Sequence, residues 1–450
     1  MLKSRLVTMY MRVALLSMVG LLLHNKYSVS VSTMDVNKLS KPTTPKHVYQ
    51  TGWYTCGMSA HAFGLLCLAS LCVWGTGMFL QRPAPDVEGY NYVLGTQAIG
   101  SKYRFTKDDV LVETANAILE MGSNILKISV EENYWRQYEG IERDPAIKCP
   151  VMLVRDQPSF RKALHMPFRY ILLWVYPFDA GWWANGLSEE ERAETYRQIY
   201  DLSAYLLREF SGSGKTFYIG HWEGDWHLHP NYDVSKDPSD TAIHGMVDWL
   251  NVRQQAIEDA KKAVQHRRVE LYGYTEVNLV QKAMKGGRTL TNDVLPKTRV
   301  DFVSYSSYDS ITADPATLSR QLKAALDYVE TKLPPKKGIA GKRVFIGEYG
   351  FPKQHHAPER QAELSKAVGR TAIEWGCPFA LYWEMYCNEK VEGKHRGFWL
   401  IDDTGTKQPV YYAHADYYRR AKAGVDEFRR KHRRLPTYDE FRQIALPLLK

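Results

Sequence analysis

The sequence predicts an α/β fold, a single (β/α)8 barrel preceded by a separate N-terminal region. Three observations carry this. Eight apolar β-type runs alternate with helical patterns from residue 90 onward. The runs are mostly continuous instead of strictly alternating, as parallel strands covered by helices require. No glycine-rich phosphate loop follows the first run, which argues against a doubly wound open sheet.

The strand-like runs are 92–98, 124–130, 169–175, 216–222, 269–274, 300–305, 344–348 and 379–384. Helical patterns fall between them at 108–121, 158–165, 188–210, 241–264, 277–284, 315–332 and 357–375, and 410–431 closes the barrel. The helix from 188 opens with Ser188 and three glutamates, an N-cap followed by first-turn acids that suit the positive end of a helix dipole.

In such barrels functional groups collect at the C-terminal ends of the strands. Glu223, in FYIGHWEGDW over 217–226, follows the fourth run, and Glu348, in RVFIGEYG over 343–350, ends the seventh. Two carboxylates presented from strand ends are the minimum equipment for glycosidic bond hydrolysis, one as general acid and one as nucleophile or base. Aromatics surround both, and sugar rings stack their C–H faces on such rings. Trp222 and Trp226 flank Glu223, and Trp182 and Trp183 sit in the loop after the third strand, as rim packing or as a sugar platform. Tyr134, Trp135 and Trp399 extend the rim. Asp225 is the reserve acid, while Glu276 and Glu384 lie at or near other strand ends. Lys127 lies inside the second strand, where an interior position would need a carboxylate partner.

These motifs resemble the cellulase-like clan of retaining glycoside hydrolases over about residues 90–420. In that clan the acid/base glutamate ends strand four and the nucleophile ends strand seven, which assigns those roles to Glu223 and Glu348. The resemblance also implies that Trp383, in ALYWEMY over 380–386, floors the sugar subsite. FVSYSSY over 302–308 resembles the sixth strand, which brings Tyr305 or Tyr308 near the nucleophile. One departure stands out. The clan places Asn directly before the acid/base, and here that position is Trp222, preceded by His221. A glycan-binding barrel that has lost catalysis is therefore the alternative reading. Under the first reading the partner is a carbohydrate substrate.

The whole chain has 450 residues, 44% hydrophobic and 24% charged, a composition that suits a globular protein. Its net charge is +9, with eight Lys/Arg against two acids between Arg419 and Arg434. No nucleic-acid motif accompanies that charge, so it reads as a solvated terminal helix and no nucleic-acid partner is expected. No C-x-x-C pair appears among the six cysteines. His221, His227 and His229 cluster, but no distant ligand set completes a site, so neither metal nor cofactor is expected. Cys149 and Cys387 fall in loops on one rim and could pair.

Residues 1–85 read as a targeting or anchoring region plus a Pro-containing linker. The run 13–23 has the shape of a signal peptide core, and 58–80 is apolar, free of Lys, Arg, Asp and Glu, and long enough to span a bilayer. Signal peptide, membrane anchor through 58–80, or one of each all place the barrel outside the cytoplasm, secreted or anchored. The chain thus divides into 1–85, a barrel over 86–425, and a basic C-terminal tail over 426–450.

Overall fold

The computed structural model describes residues 86–450. The readings made for 1–85, signal and anchor included, lie outside the described residues.

Eight parallel strands form one sheet: β1 (Leu94–Thr96), β2 (Ile125–Val130), β3 (Tyr170–Val175), β4 (Thr216–Gly220), β5 (Glu270–Val277), β6 (Phe302–Ser306), β7 (Val344–Tyr349) and β8 (Ala380–Tyr382). The order is β1-β8-β7-β6-β5-β4-β3-β2, and a parallel bridge between Gln97 and Lys127 brings β1 back to β2. This is the expected (β/α)8 barrel. The main helices are α1 (Val110–Met121), α2 (Pro150–Asp156), α3 (Pro158–His165), α4 (Glu189–Glu209), α5 (Asp240–Ala263), α6 (Val280–Met284), α7 (Pro315–Lys332), α8 (Pro358–Trp375), α9 (Pro409–His432) and α10 (Tyr438–Ala445). α4 begins with a reciprocal capping box between Ser188 and Glu191, as its acidic start implied.

The two-residue period of a strand sorts side chains into two cores. Leu126, Ile128, Leu173 and Val303 face outward into the layer shared with the helices. Ile125, Leu172, Trp174, Tyr218, Tyr274, Phe302, Phe345 and Leu381 fill the barrel interior. This second, aromatic-rich cluster is the platform beneath the strand ends.

Several boundaries move. β1 and β8 keep three residues each, because the flanking chain turns into loops. β5 runs on through Val277, so the helix expected from 277 starts at Val280. Residues 426–450, expected as a basic tail, complete α9 and form α10. The latter buries Phe441 completely, beside the rings of Tyr90 and Tyr92 at 5.1 and 6.0 Å. An apolar stripe inside the basic stretch explains this, since Phe441, Ala445 and Leu449 share one covered face. The basic residues of α9 pair at helical spacing with Asp416 and Asp426. Cys149 and Cys387, which the sequence allowed to pair, are both free and buried. The Cys387 thiol instead lies 3.4 Å from the Glu389 carbonyl.

Candidate active site

The strand ends open into a cleft of about 1200 Å³, lined among others by Trp174, Tyr176, Trp182, Trp222, Trp226 and Trp383. Each has a structural reason to be there. Trp174 closes β3 on its inward parity, and its ring lies over the Lys127 ammonium at 4.2 Å. Trp222 is held by its N–H, which donates to the Tyr176 hydroxyl at 3.1 Å. The Trp383 indole donates to Glu389 at 2.8 Å, and Arg396 braces that carboxylate from the other side at 2.6 Å. Trp174 and Trp383 meet with ring centroids 6.1 Å apart.

Neither glutamate is among the residues that line this cleft; both sit behind its aromatic wall, Glu223 bonded to Trp226 and Glu348 beside the Lys127 ammonium that lies over Trp174. Glu223 follows β4 and stands directly before a short helical turn over Gly224–Leu228, with its side chain making no bond to that turn's main chain. Its Oε2 accepts the Trp226 indole N–H at 2.6 Å, and its Oε1 accepts the Ser306 hydroxyl. It is 7% exposed. Burial pushes its carboxyl up to about 7; the Ser306 hydrogen bond opposes this and the Glu276 charge adds to it.

Glu348 is 3% exposed. Strand parity alone would turn it outward, since Phe345 and Gly347 face inward. The register between β6 and β7 shifts after Tyr305, however, and sets Glu348 opposite Ser306. A bulge of this kind re-aims a side chain. Its Oε1 lies 3.7 Å from the Lys127 ammonium. Burial raises the Glu348 carboxyl, Lys127 pulls it down, and the Glu276, Glu223 and Glu384 charges push it up again. The net effect holds the Glu348 carboxyl well above the usual carboxylate range.

Lys127 has the carboxylate partner its position demanded. Fully buried, it reaches Glu276 Oε2 at 3.1 Å and the Gly347 carbonyl at 3.1 Å. Glu276 also accepts the Ser304 hydroxyl at 2.5 Å and the Glu223 main-chain N–H at 3.0 Å.

Other expected site residues part company with the cleft. Tyr305 is fully buried in the outer layer and donates to Asp309 and Ser310, not to Glu348. The parity that turns Ser304 and Ser306 inward turns Tyr305 outward. Tyr308, past the strand end, is the tyrosine near the carboxylates. Burial raises its hydroxyl, and the charges of Glu348 and Glu223 raise it further. His221 is buried against Trp249, with its ring nitrogens on Thr275 at 2.7 Å and the Trp222 carbonyl at 2.9 Å. It stays neutral, with burial lowering its pKa to about 3, and does not line the cleft. Trp183 is fully buried, and its carbonyl is so close to Gly245 that a Cβ there would lie at 1.9 Å, so it is rim packing. Trp182, 40% exposed, is the member of the pair that faces the cleft.

Asp225, the reserve acid, is fully buried and accepts main-chain N–H groups from Asn278, Leu279 and Leu290 at 2.9, 3.2 and 2.7 Å. Such a carboxylate latches loops together and has no path to substrate. Glu384 is buried as well and accepts the Asn388 N–H at 3.0 Å. Sequence reasoning missed Trp174, Tyr176 and Ser306. Of these, only Trp174 carried a signal, as a strand-end aromatic on the parity of Leu172.

No family model and no curated protein matches the chain. Solved structures do. A GH5_18 protein from Streptomyces cattleya in complex with Manβ1-4GlcNAc aligns at TM-score 0.50 and 12% identity, over 73% of this chain and 80% of its own. GH5_18 from Bifidobacterium longum aligns at 0.48 and 14%, over 77% and 81%. A family 39 glycoside hydrolase from Bacteroides cellulosilyticus aligns at 0.43 and 15%; this chain accounts for 64% of its length and is itself covered over 74%. The shared property is the barrel: the chain folds as the (β/α)8 glycoside hydrolases do.

Proposed function

We propose that this protein is a glycoside hydrolase, cleaving O-glycosidic bonds of an oligo- or polysaccharide with two carboxylates and net retention. One observation carries the reading. Glu223, after β4, and Glu348, on β7, converge behind one aromatic cleft through Ser306, which bonds the first and stands in register with the second. Net retention is the outcome in the clan that the sequence resembles, which carries its acid/base after strand four and its nucleophile on strand seven, with the carboxyls about 5–5.5 Å apart.

Glu223, which burial keeps protonated near neutral pH, gives its proton to the leaving oxygen. Glu348 attacks the anomeric carbon as carboxylate, with the Lys127 ammonium opposing the burial that raises its carboxyl. A covalent glycosyl-enzyme results, and water, deprotonated by Glu223, releases the sugar from Glu348. Trp383, Trp222 and Trp182 supply stacking faces along the cleft.

The test is hydrolysis of a panel of β- and α-linked polysaccharides by the protein and by Glu223→Gln and Glu348→Gln. Loss of activity in both with glycan binding intact supports the assignment, and a fully active Glu348→Gln protein rejects it.

A second reading, a glycan-binding barrel without catalysis, draws on the low exposure of both carboxylates and on Trp222 standing where the clan has Asn. It predicts glycan binding and no hydrolysis in all three proteins.

A further inference from the structure

The barrel interior holds a third carboxylate that touches no part of the cleft. Glu276 on β5 is fully buried, and both of its oxygens are engaged. Oε1 accepts the main-chain N–H of Glu223, while Oε2 accepts Lys127 and Ser304. The site is built around it. A Cβ on Gly347, the residue before Glu348, would lie 1.6 Å from the Ser304 hydroxyl and 2.9 Å from Glu276 Oε2. Only glycine lets β7 come that close. Lys127 has three donors, and two are spent on Glu276 and the Gly347 carbonyl. Glu348 stands 0.6 Å farther from the ammonium than Glu276 does (3.7 against 3.1 Å).

We infer that Glu276 is a positioning residue for the proposed reaction, fixing the backbone of Glu223 and sharing the Lys127 ammonium with Glu348. The inference rests on the glycosidase reading for its consequence in catalysis. A buried Lys–Glu pair is weak evidence for stability, because desolvation consumes most of the attraction. This one makes sense as a charge divider. Held between two carboxylates, Lys127 neutralises one and leaves the field of the other acting on both reacting groups.

The groups facing Glu276 are Lys127 from β2, Glu223 after β4, Ser304 from β6, Glu348 from β7, and the phenols of Tyr176 and Tyr274. Glu348 faces Lys127, Glu276, Glu223, Glu384, Tyr308 and Tyr274. Removing the Glu276 charge therefore takes a negative neighbour from both reacting carboxyls and frees Lys127 for Glu348. Both limbs of the pH–rate profile move down.

The experiment compares kcat/KM from about pH 4 to 9 for the wild type, Glu276→Gln and Glu276→Gln/Lys127→Met, on whichever glycan of the panel the wild type hydrolyses. Glu276→Gln should shift both limbs down by roughly one to two pH units. The double variant, which also removes the buried cation, should move them back up. If Glu276→Gln fails to fold, Lys127→Met takes its place, and both limbs should then move up. Limbs that stay in place in a folded single variant overturn the inference, since a purely structural Glu276 changes stability alone. Carbon-13 NMR titration of the glutamate carboxyls reads the same coupling without substrate. Unmoved titrations overturn the inference. Shifted titrations in a protein that hydrolyses nothing support the coupling and overturn the glycosidase reading instead.

Discussion

Ser306 donates its hydroxyl to Glu223 Oε1 across the gap between β6 and the end of β4. The bond holds the carboxyl behind Trp226 of the cleft wall and partly offsets the effect of burial on its proton. Ser306→Ala should raise the Glu223 pKa and carry the basic limb of activity upward. A pH–rate profile with an unchanged basic limb would count against Glu223 as the acid.

Glu223 also links pH to stability. Its folded pKa is about 7 against 4.5 for the free group. Between those values the folded state keeps a proton that the unfolded chain has lost, so this group's contribution falls as pH rises through the window. Glu223→Gln removes that loss. The variant should gain on the wild type by roughly 3 kcal/mol between about pH 4 and 8, measured by chemical denaturation at both values.

The two tyrosines of β6 and its loop separate function from packing. Tyr308→Phe should lower kcat by about tenfold to a hundredfold, because its hydroxyl lies in the field of both carboxylates. Tyr305→Phe should leave kcat unchanged and cost about 1 kcal/mol of stability through its lost hydrogen bonds. Kinetics and thermal melts on both variants check this.

Asp225→Ala should destabilise by about 3–5 kcal/mol, leaving three main-chain donors without their carboxylate. A variant that keeps its melting temperature and loses only activity would restore Asp225 as an acid.

The adjacent tryptophans should diverge. Trp182→Ala is expected to weaken glycan binding by about 1 kcal/mol or more with little change in melting temperature. Trp183→Ala should cost about 3–5 kcal/mol of stability. Calorimetry of binding and of unfolding distinguishes the two.

The barrel was legible because its signals are local. Continuous apolar runs, acidic helix starts and turn residues repeat along the chain, and each element reports its own type. The two glutamates and most of the tryptophans were legible for the same reason, as strand-end residues in aromatic surroundings. The α10 helix was not, because a basic run masked the apolar stripe of Phe441, Ala445 and Leu449.

By itself the sequence determined the eightfold alternation, the strands that carry Glu223 and Glu348, and the need for a carboxylate beside Lys127. Which residues meet was decided only by closure of the barrel. Inward parity chose Ser306 over Tyr305, and a shift in register turned Glu348 toward the interior. Packing against α5 withdrew His221 and Trp183 from the cleft. The partner of Lys127 proved to be Glu276, 149 residues away in the chain. Periodicity along a chain reports how one element is covered, whereas contacts between strands depend on register, which no single strand encodes.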